Sequence, residues 1–219
     1  RTRIPVIADL DTGFGDAVNL VHAVRRYEAA GVAAIVVEDK VHPKVTSLAP
    51  GLRQQLVPIE CFQGKIAAAC AARRNRGLLV IARTEALIAG LGAAEAHRRG
   101  AAYEAAGADM ILVHSSEASG GEVEAFARDW KGAARLVVIP TAYPSMTLER
   151  ARRCGTIGMV IHGNHAVRHG SRARGEGDLP RRVGPLTVAE RARGLVRGGV
   201  GWLGGVHGSR RETGIRAGG

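Results

Sequence analysis

Pro5-Val6-Ile7-Ala8-Asp9-Leu10-Asp11-Thr12-Gly13-Phe14-Gly15 is the stretch that decides the fold of this 219-residue chain. A short apolar run ends in two carboxylates one residue apart, and a Gly-x-Gly turn follows before a helical pattern begins. The reading is a strand with acids at its C-terminal lip. Alternation along a strand sends Asp9 and Asp11 to the same side, where both face one hard cation or its waters. An Asx-turn that merely ends the strand is the plainer alternative.

Outward from this stretch, apolar runs recur at 4–9, 33–38, 78–82, 109–113, 135–139 and 157–161. Helical patterns lie between most of them, clearest over Ala17–Ala30, Pro58–Arg74, Ala93–Ala106 and Gly121–Lys131. Strands that alternate with helices are parallel and joined by crossovers, so a doubly wound sheet or a barrel fits. Gly31, Gly77 and Gly107 read as C-caps. Polar residues then gather at one end of every strand. They are Asp9 and Asp11; Glu38-Asp39-Lys40; Arg83-Thr84-Glu85; His114-Ser115; Thr141; and His162-Gly163-Asn164-His165. Sites are built on that face of a barrel, and six such ends in succession favour a common site. The dinucleotide-binding reading is weaker, because Gly13-Phe14-Gly15 lacks a third glycine and follows the acids. Taken singly, Glu38-Asp39-Lys40 also fits a salt-bridged turn, Arg83 a pair with Glu85, and His114 a satisfied core histidine.

Asp9, Asp11 and Glu38 make an oxygen-rich set suited to Mg²⁺. Arg83 offers a planar fork for a carboxylate or phosphoryl group, and His114 a second donor or a proton carrier. The polar segment from Asp39 to Gln55 has no apolar periodicity and reads as an active-site lid. Cys61, Cys70 and Cys154 are too few and too irregular for a disulfide framework or a zinc site, and read as buried thiols.

The net charge of +11 suggests nucleic acid until it is divided along the chain. Residues 1–168 hold 21 Lys+Arg against 16 Asp+Glu, whereas residues 169–219 hold 10 Arg against 4 acids and carry 14 of the 30 glycines. The shift marks a boundary near Arg168. The Arg/Gly segment has no interleaved aromatics beyond Trp202 and no recognition fold, which argues against nucleic acid as a partner. No apolar run approaches a membrane span and the first residues form no signal-peptide core, so a cytoplasmic protein without a membrane partner is expected.

Asp9-Leu10-Asp11-Thr12-Gly13-Phe14-Gly15, Glu38-Asp39-Lys40, Pro43-Lys44-Val45-Thr46-Ser47-Leu48, Ala82-Arg83-Thr84-Glu85-Ala86 and His114-Ser115 resemble, in order and spacing, the isocitrate lyase/phosphoenolpyruvate mutase superfamily. The resemblance covers residues 3–168. It implies a (β/α)8 barrel of the TIM type that uses Mg²⁺ and handles 2-oxo acids through an enolate-like intermediate. The lyases of the superfamily carry a cysteine in the mobile loop, where this chain reads Lys44-Val45-Thr46-Ser47. The mutases place Asn where Thr46 stands. Thr46, Thr141-Ala142-Tyr143-Pro144, Phe62-Gln63-Gly64-Lys65 and Gly163-Asn164-His165-Ala166-Val167-Arg168 are most similar to the branch that hydrolyses phosphonopyruvate.

That branch splits the P–C bond of a small 2-oxo phosphonate to give pyruvate and phosphate. The resemblance implies Asp9 as inner-sphere metal ligand, with Asp11 and Glu38 holding coordinated waters. It implies Arg83 and His114 on the substrate's charged groups, and Lys44 and Thr46 closing from the loop. Phosphoenolpyruvate mutation is the alternative activity, and a catalytically inactive remnant the other. The resemblance also implies that the barrel is incomplete. Asp9 lies on the strand that resembles the family's third, so the first two βα units have no counterpart and six of eight strands are expected. A partial barrel over 1–168 would leave parallel edges unpaired, and the chain alone is expected to aggregate or behave as a molten species. Residues 169–219 are expected to be a disordered tail or a frame-shifted segment, and a homo-oligomer is expected of the complete protein.

Overall fold

The computed structural model describes residues 4–47 and 53–162, together with the backbone of 200–202. Strands and helices alternate as β1 (Ile7–Asp9), α1 (Ala17–Ala30), β2 (Ala34–Glu38), α2 (Ile59–Ala72), β3 (Leu79–Thr84), α3 (Gly92–Ala105), β4 (Met110–Val113), α4 (Gly121–Asp129), β5 (Arg135–Val138), α5 (Leu148–Arg153) and β6 (Ile157–Ile161). A short β7 (Val200–Trp202) completes the set. Strands β1 to β6 pair in sequence order, each parallel to the next, in an arc of a (β/α)8 barrel. Strand β7 joins the end of the arc antiparallel to β6. The rest of the Arg/Gly-rich segment expected to be a tail lies outside the described residues, as do Gly163, Asn164 and His165. Among the described residues, β1 pairs with β2 alone, and no helix is long and apolar enough to cross a membrane.

Alternation along the strands builds two cores. Ile35, Val37, Val80, Ala82, Ile111, Val113, Leu136 and Val138 face the helices and pack with Leu20, Val24, Phe62, Ile66, Tyr103 and Phe126. Ala34, Val36, Ile81, Met110, Leu112, Val137 and Met159 face the other way and fill the concave side. Burial on both faces is why the strands read as unbroken apolar runs.

Helix α1 has the predicted limits because both its ends are marked locally. The Asp16 side chain accepts from the amides of Val18 (2.9 Å) and Asn19 (3.2 Å), and Gly31 turns left-handed at φ 84°. Gly77 is not a cap. Helix α2 ends at Arg73 in extended conformation, and the turn beyond it is held by Glu28 of α1, which accepts from the amides of Arg74 and Asn75. The cysteines also depart from expectation: Cys61 is exposed, and Cys70 and Cys154 are half-buried.

Gly100 lets α3 approach the Trp130 indole, which is fixed by its bond to the Ala134 carbonyl at 2.9 Å. A Cβ at Gly100 would stand 2.9 Å from Trp130 Cζ3 and 3.1 Å from Cη2. Gly100→Ala gains about 1 kcal/mol of helix propensity but overpacks a fixed indole at about 1–3 kcal/mol. The expected result is a net loss, read as a lower urea midpoint at unchanged m-value. A midpoint that rises would show that Trp130 yields freely.

Candidate active site

The C-terminal ends of β1 to β4 bring together most of the residues singled out in the sequence. The last residue of β2 and the two that follow it present three consecutive charged side chains that continue the alternation of the strand. Asp39 turns toward the helices and is fully buried. Its Oδ1 accepts from the Glu85 amide (2.9 Å), and its Oδ2 from Tyr103 Oη (2.7 Å), Arg99 Nη1 (3.0 Å) and Thr84 Oγ1 (3.3 Å). Burial raises the Asp39 carboxyl even against these donors. The same burial and the neighbouring carboxylate push the Tyr103 phenol far upward, so Tyr103 is a proton donor to Asp39. Glu38 and Lys40 turn to the opposite side, where β3 presents Arg83 and Glu85.

Arg83 donates through Nε to Glu85 Oε1 (2.5 Å) and through Nη2 to Ser47 Oγ (3.1 Å), with Nη2 also 3.0 Å from His114 Nδ1. The sequence allowed an Arg83–Glu85 pair as an alternative to a ligand fork, and the pair forms. It orients the guanidinium inside the site. Burial pushes the Glu85 carboxyl up, but the His114 bond, the Arg83 charge and the Ser47 hydroxyl outweigh it and hold Glu85 well below the usual range. Lys40, also buried, donates to Ser47 Oγ (2.7 Å) and the Val45 carbonyl (2.8 Å), and lies 3.2 Å from Glu85 Oε2. Ser47 in turn donates to Glu85 Oε2 at 2.6 Å. These contacts dock the loop that follows β2 over Arg83 and His114, which are 8% and 5% exposed.

The three acids expected to hold a metal share one patch of charge but do not converge. Asp11 has left the strand in a left-handed conformation (φ 51°), so strand alternation does not place it beside Asp9. Asp9 is exposed, and its Oδ1 accepts from the Asp11 amide at 2.9 Å, the Asx-turn that the sequence also allowed. Among the described residues, no three His, Cys, Asp or Glu side chains close on a point that could hold a metal ion. The Lys44 ammonium lies between the acids, bonded to Asp11 and 3.4 Å from Glu38 Oε1. Partial burial pulls this ammonium down, but the Asp11 bond and the charges of Glu38, Asp11 and Asp9 outweigh it and raise it.

Glu38 is the residue that bears on a metal. It is 1% exposed, and neither of its carboxylate oxygens has a hydrogen-bond partner. Arg83 Nε and Lys44 Nζ approach only to 3.4 Å. Burial raises its carboxyl, with Glu85 adding to the rise and Arg83, Lys44 and Lys40 opposing it. A buried carboxylate without hydrogen bonds is costly unless a cation satisfies it. Here the Lys44 ammonium brings one positive charge to it; the carboxylate oxygens of Glu38, Asp11 and Asp9 are of the kind a hard cation takes, although they do not converge in this arrangement.

Thr46 is exposed on the loop, its carbonyl accepting from Gln54 Nε2 at 3.1 Å. The ends of the lid segment are tied together by a bridge between Lys40 and Leu56 and by Val41 N donating to the Gln55 carbonyl (2.9 Å). Leu48 lies outside the described residues. Sequence reasoning gave no site role to Lys40, Ser47, Glu85, Asp39 or Lys65. Lys65 of α2 donates to the carbonyls of Thr12 (3.0 Å) and Gly15, which pins the turn after β1. The periodicity of α2 gave no sign of this, since the bond joins residues 53 positions apart.

A phosphoenolpyruvate phosphomutase family model matches residues 1–176. The phosphonopyruvate hydrolase of Variovorax sp. (strain Pal2) is 59% identical over 165 residues, which are 75% of this chain and 57% of that protein. The phosphoenolpyruvate phosphomutase of Tetrahymena pyriformis is 40% identical over 168 residues, 77% of this chain and 56% of that protein. The chain thus spans a little over half the length of these relatives. Among solved structures, a phosphoenolpyruvate phosphomutase from Streptomyces platensis subsp. rosaceus superposes with a TM-score of 0.76 at 46% identity, over 79% of this chain and 60% of its own. A phosphonopyruvate hydrolase in complex with oxalate and Mg²⁺ superposes with a TM-score of 0.73 at 54% identity, over 79% and 59%. On the family match and these identities, the chain belongs to the phosphoenolpyruvate phosphomutase family, within the PEP mutase/isocitrate lyase superfamily.

Proposed function

We propose that the protein containing this chain is a Mg²⁺-dependent phosphonopyruvate hydrolase, which cleaves the P–C bond of 3-phosphonopyruvate to pyruvate and phosphate. The observation that carries the reading is Glu38, a buried carboxylate with no hydrogen bond to either oxygen, which lies 3.4 Å from both Lys44 Nζ and Arg83 Nε. The 59% identity to a phosphonopyruvate hydrolase supports the substrate, and the solved hydrolase with oxalate and Mg²⁺ supports the cofactor. The reading carries with it a cytoplasmic, homo-oligomeric enzyme.

Asp9, Asp11 and Glu38 would hold the Mg²⁺, which supplies positive charge against the oxygen of the enolate leaving group. In hydrolysis, water oxygen bonds to phosphorus as the P–C bond breaks, and the bonding pair stays on carbon as pyruvate enolate. Protonation of that carbon gives pyruvate. Arg83, held flat by Glu85, meets the negative charge of the phosphoryl or carboxylate group with a fixed fork, and His114 beside it is a second donor. Lys44 and Thr46 approach from the loop, Lys44 toward the transferring group and Thr46 toward the water or a phosphoryl oxygen. The docked loop keeps bulk water from the charges it covers.

Asp9→Ala is expected to abolish Mg²⁺-dependent phosphate release. Because Asp9 is exposed and makes one short-range bond, the substitution should cost less than about 1 kcal/mol of stability. Turnover at the parental rate in the presence of EDTA would end the metal assignment. Thr46→Asn tests the acceptor. Hydrolysis should slow by roughly tenfold or more, because a hydroxyl that orients the water is lost. The ³¹P spectrum of phosphonopyruvate with Mg²⁺ separates free phosphate from phosphoenolpyruvate in one experiment. Unchanged phosphate release would remove Thr46 from the mechanism.

A further inference from the structure

Tyr143 stands on the loop between β5 and α5, at the same lip as Arg83 and His114. Its side chain is fully buried; the Ile139 amide approaches the hydroxyl oxygen, but no acceptor takes the hydroxyl proton. The ring is fixed against Gly120, whose φ of 75° suits a residue without a side chain: a Cβ there would stand 3.3 Å from Tyr143 Cδ2. The loop that carries it follows the C-terminal end of β5, the end of the sheet where Arg83 and Glu85 stand, and the charges of both act on the phenol. Burial raises the phenol, and with the Glu85 charge adding to it outweighs the Ile139 amide and the Arg83 charge, so the hydroxyl remains a neutral donor.

An unpaired buried donor costs about 1–3 kcal/mol, and a phenylalanine of the same shape would avoid that cost. The hydroxyl is therefore explained by a partner that arrives with a ligand. The protein's own candidates are already engaged: Glu85 accepts from Arg83 and Ser47, and Ser47 accepts from Lys40 and Arg83. We propose that the Tyr143 hydroxyl is a substrate-binding donor, reserved for an anionic oxygen of the substrate, alongside Arg83 and His114. This rests on the hydrolase reading for the identity of the substrate, but not for the role of the hydroxyl.

The test is Tyr143→Phe, made in the protein that contains this chain and compared with the unsubstituted parent protein, with melting, ligand binding and turnover measured separately. Binding is followed by calorimetry in Mg²⁺ with two probes. Oxalate is a planar dianion that stands in for pyruvate enolate, and inorganic phosphate stands in for the phosphoryl end. A hydrogen bond to a charged oxygen predicts that one probe binds the variant roughly ten- to a hundredfold more weakly, with the melting temperature unchanged or raised. Weakened oxalate binding assigns the donor to the carboxylate or enolate end, and weakened phosphate binding to the phosphoryl end. A lowered melting temperature with both probes bound as by the parent would overturn the proposal, because the hydroxyl would then have a structural partner. Equal binding at unchanged stability, or a parent that binds neither probe, would overturn it as well. If the parent binds oxalate and the variant does not, yet neither releases phosphate from phosphonopyruvate, the donor assignment stands and the hydrolase reading falls.

Discussion

The candidate site depends on the buried carboxylate of Asp39. Desolvating a carboxylate is expensive, and the cost is met here by donors from the end of β3 and from α3. Those bonds fix the end of β2 relative to β3 and α3. Because side chains alternate along a strand, fixing Asp39 on the helix side fixes Glu38 and Lys40 on the other. Glu38 is thereby held on the other face at 1% exposure, 3.4 Å from Arg83 Nε and Lys44 Nζ and without a hydrogen bond to either oxygen.

Charge balance around Arg83 follows from this arrangement. The inner cluster holds two cations, Arg83 and Lys40, and two carboxylates, Glu38 and Glu85, all nearly buried. Their formal charges cancel. At the rim the Lys44 ammonium contacts Asp11 and Glu38, so the inner cluster is continued outward by a further cation between carboxylates.

Much of this was legible in the sequence. The strand lips were, because parallel strands buried on both faces leave polar residues only at their ends, and Asp9, Glu38, Arg83 and His114 stand there. Helix α1 was legible to the residue because Asp16 and Gly31 mark its ends locally. Helix α5 was not, since six residues carry too little periodicity, and its start rests on Thr147 accepting from the Arg150 amide. Gly77 misled because the end of α2 is set by Glu28, a contact 46 residues away in sequence. The same limit hid the partners of Arg83: Ser47 lies 36 positions away and His114 31. Asp11 was misplaced because alternation was carried past the last strand residue, into a turn where the backbone takes positive φ.

The loop after β2 joins these features. It leaves and returns through neighbouring contacts, the Lys40–Leu56 bridge and the Val57 amide on the Asp39 carbonyl at 3.0 Å. Its base is thereby tied to the most restrained residue of the site. Beyond that base, Lys44 and Ser47 reach back from the loop to Glu38 and Glu85. The Ser47 hydroxyl accepts from Lys40 and Arg83 while donating to Glu85, so it fills a position where two cations meet. One hydroxyl therefore ties the loop at once to Lys40 at the end of β2 and to Arg83 and Glu85 of β3, and Asp39 holds those two strand ends together from the other face of the sheet.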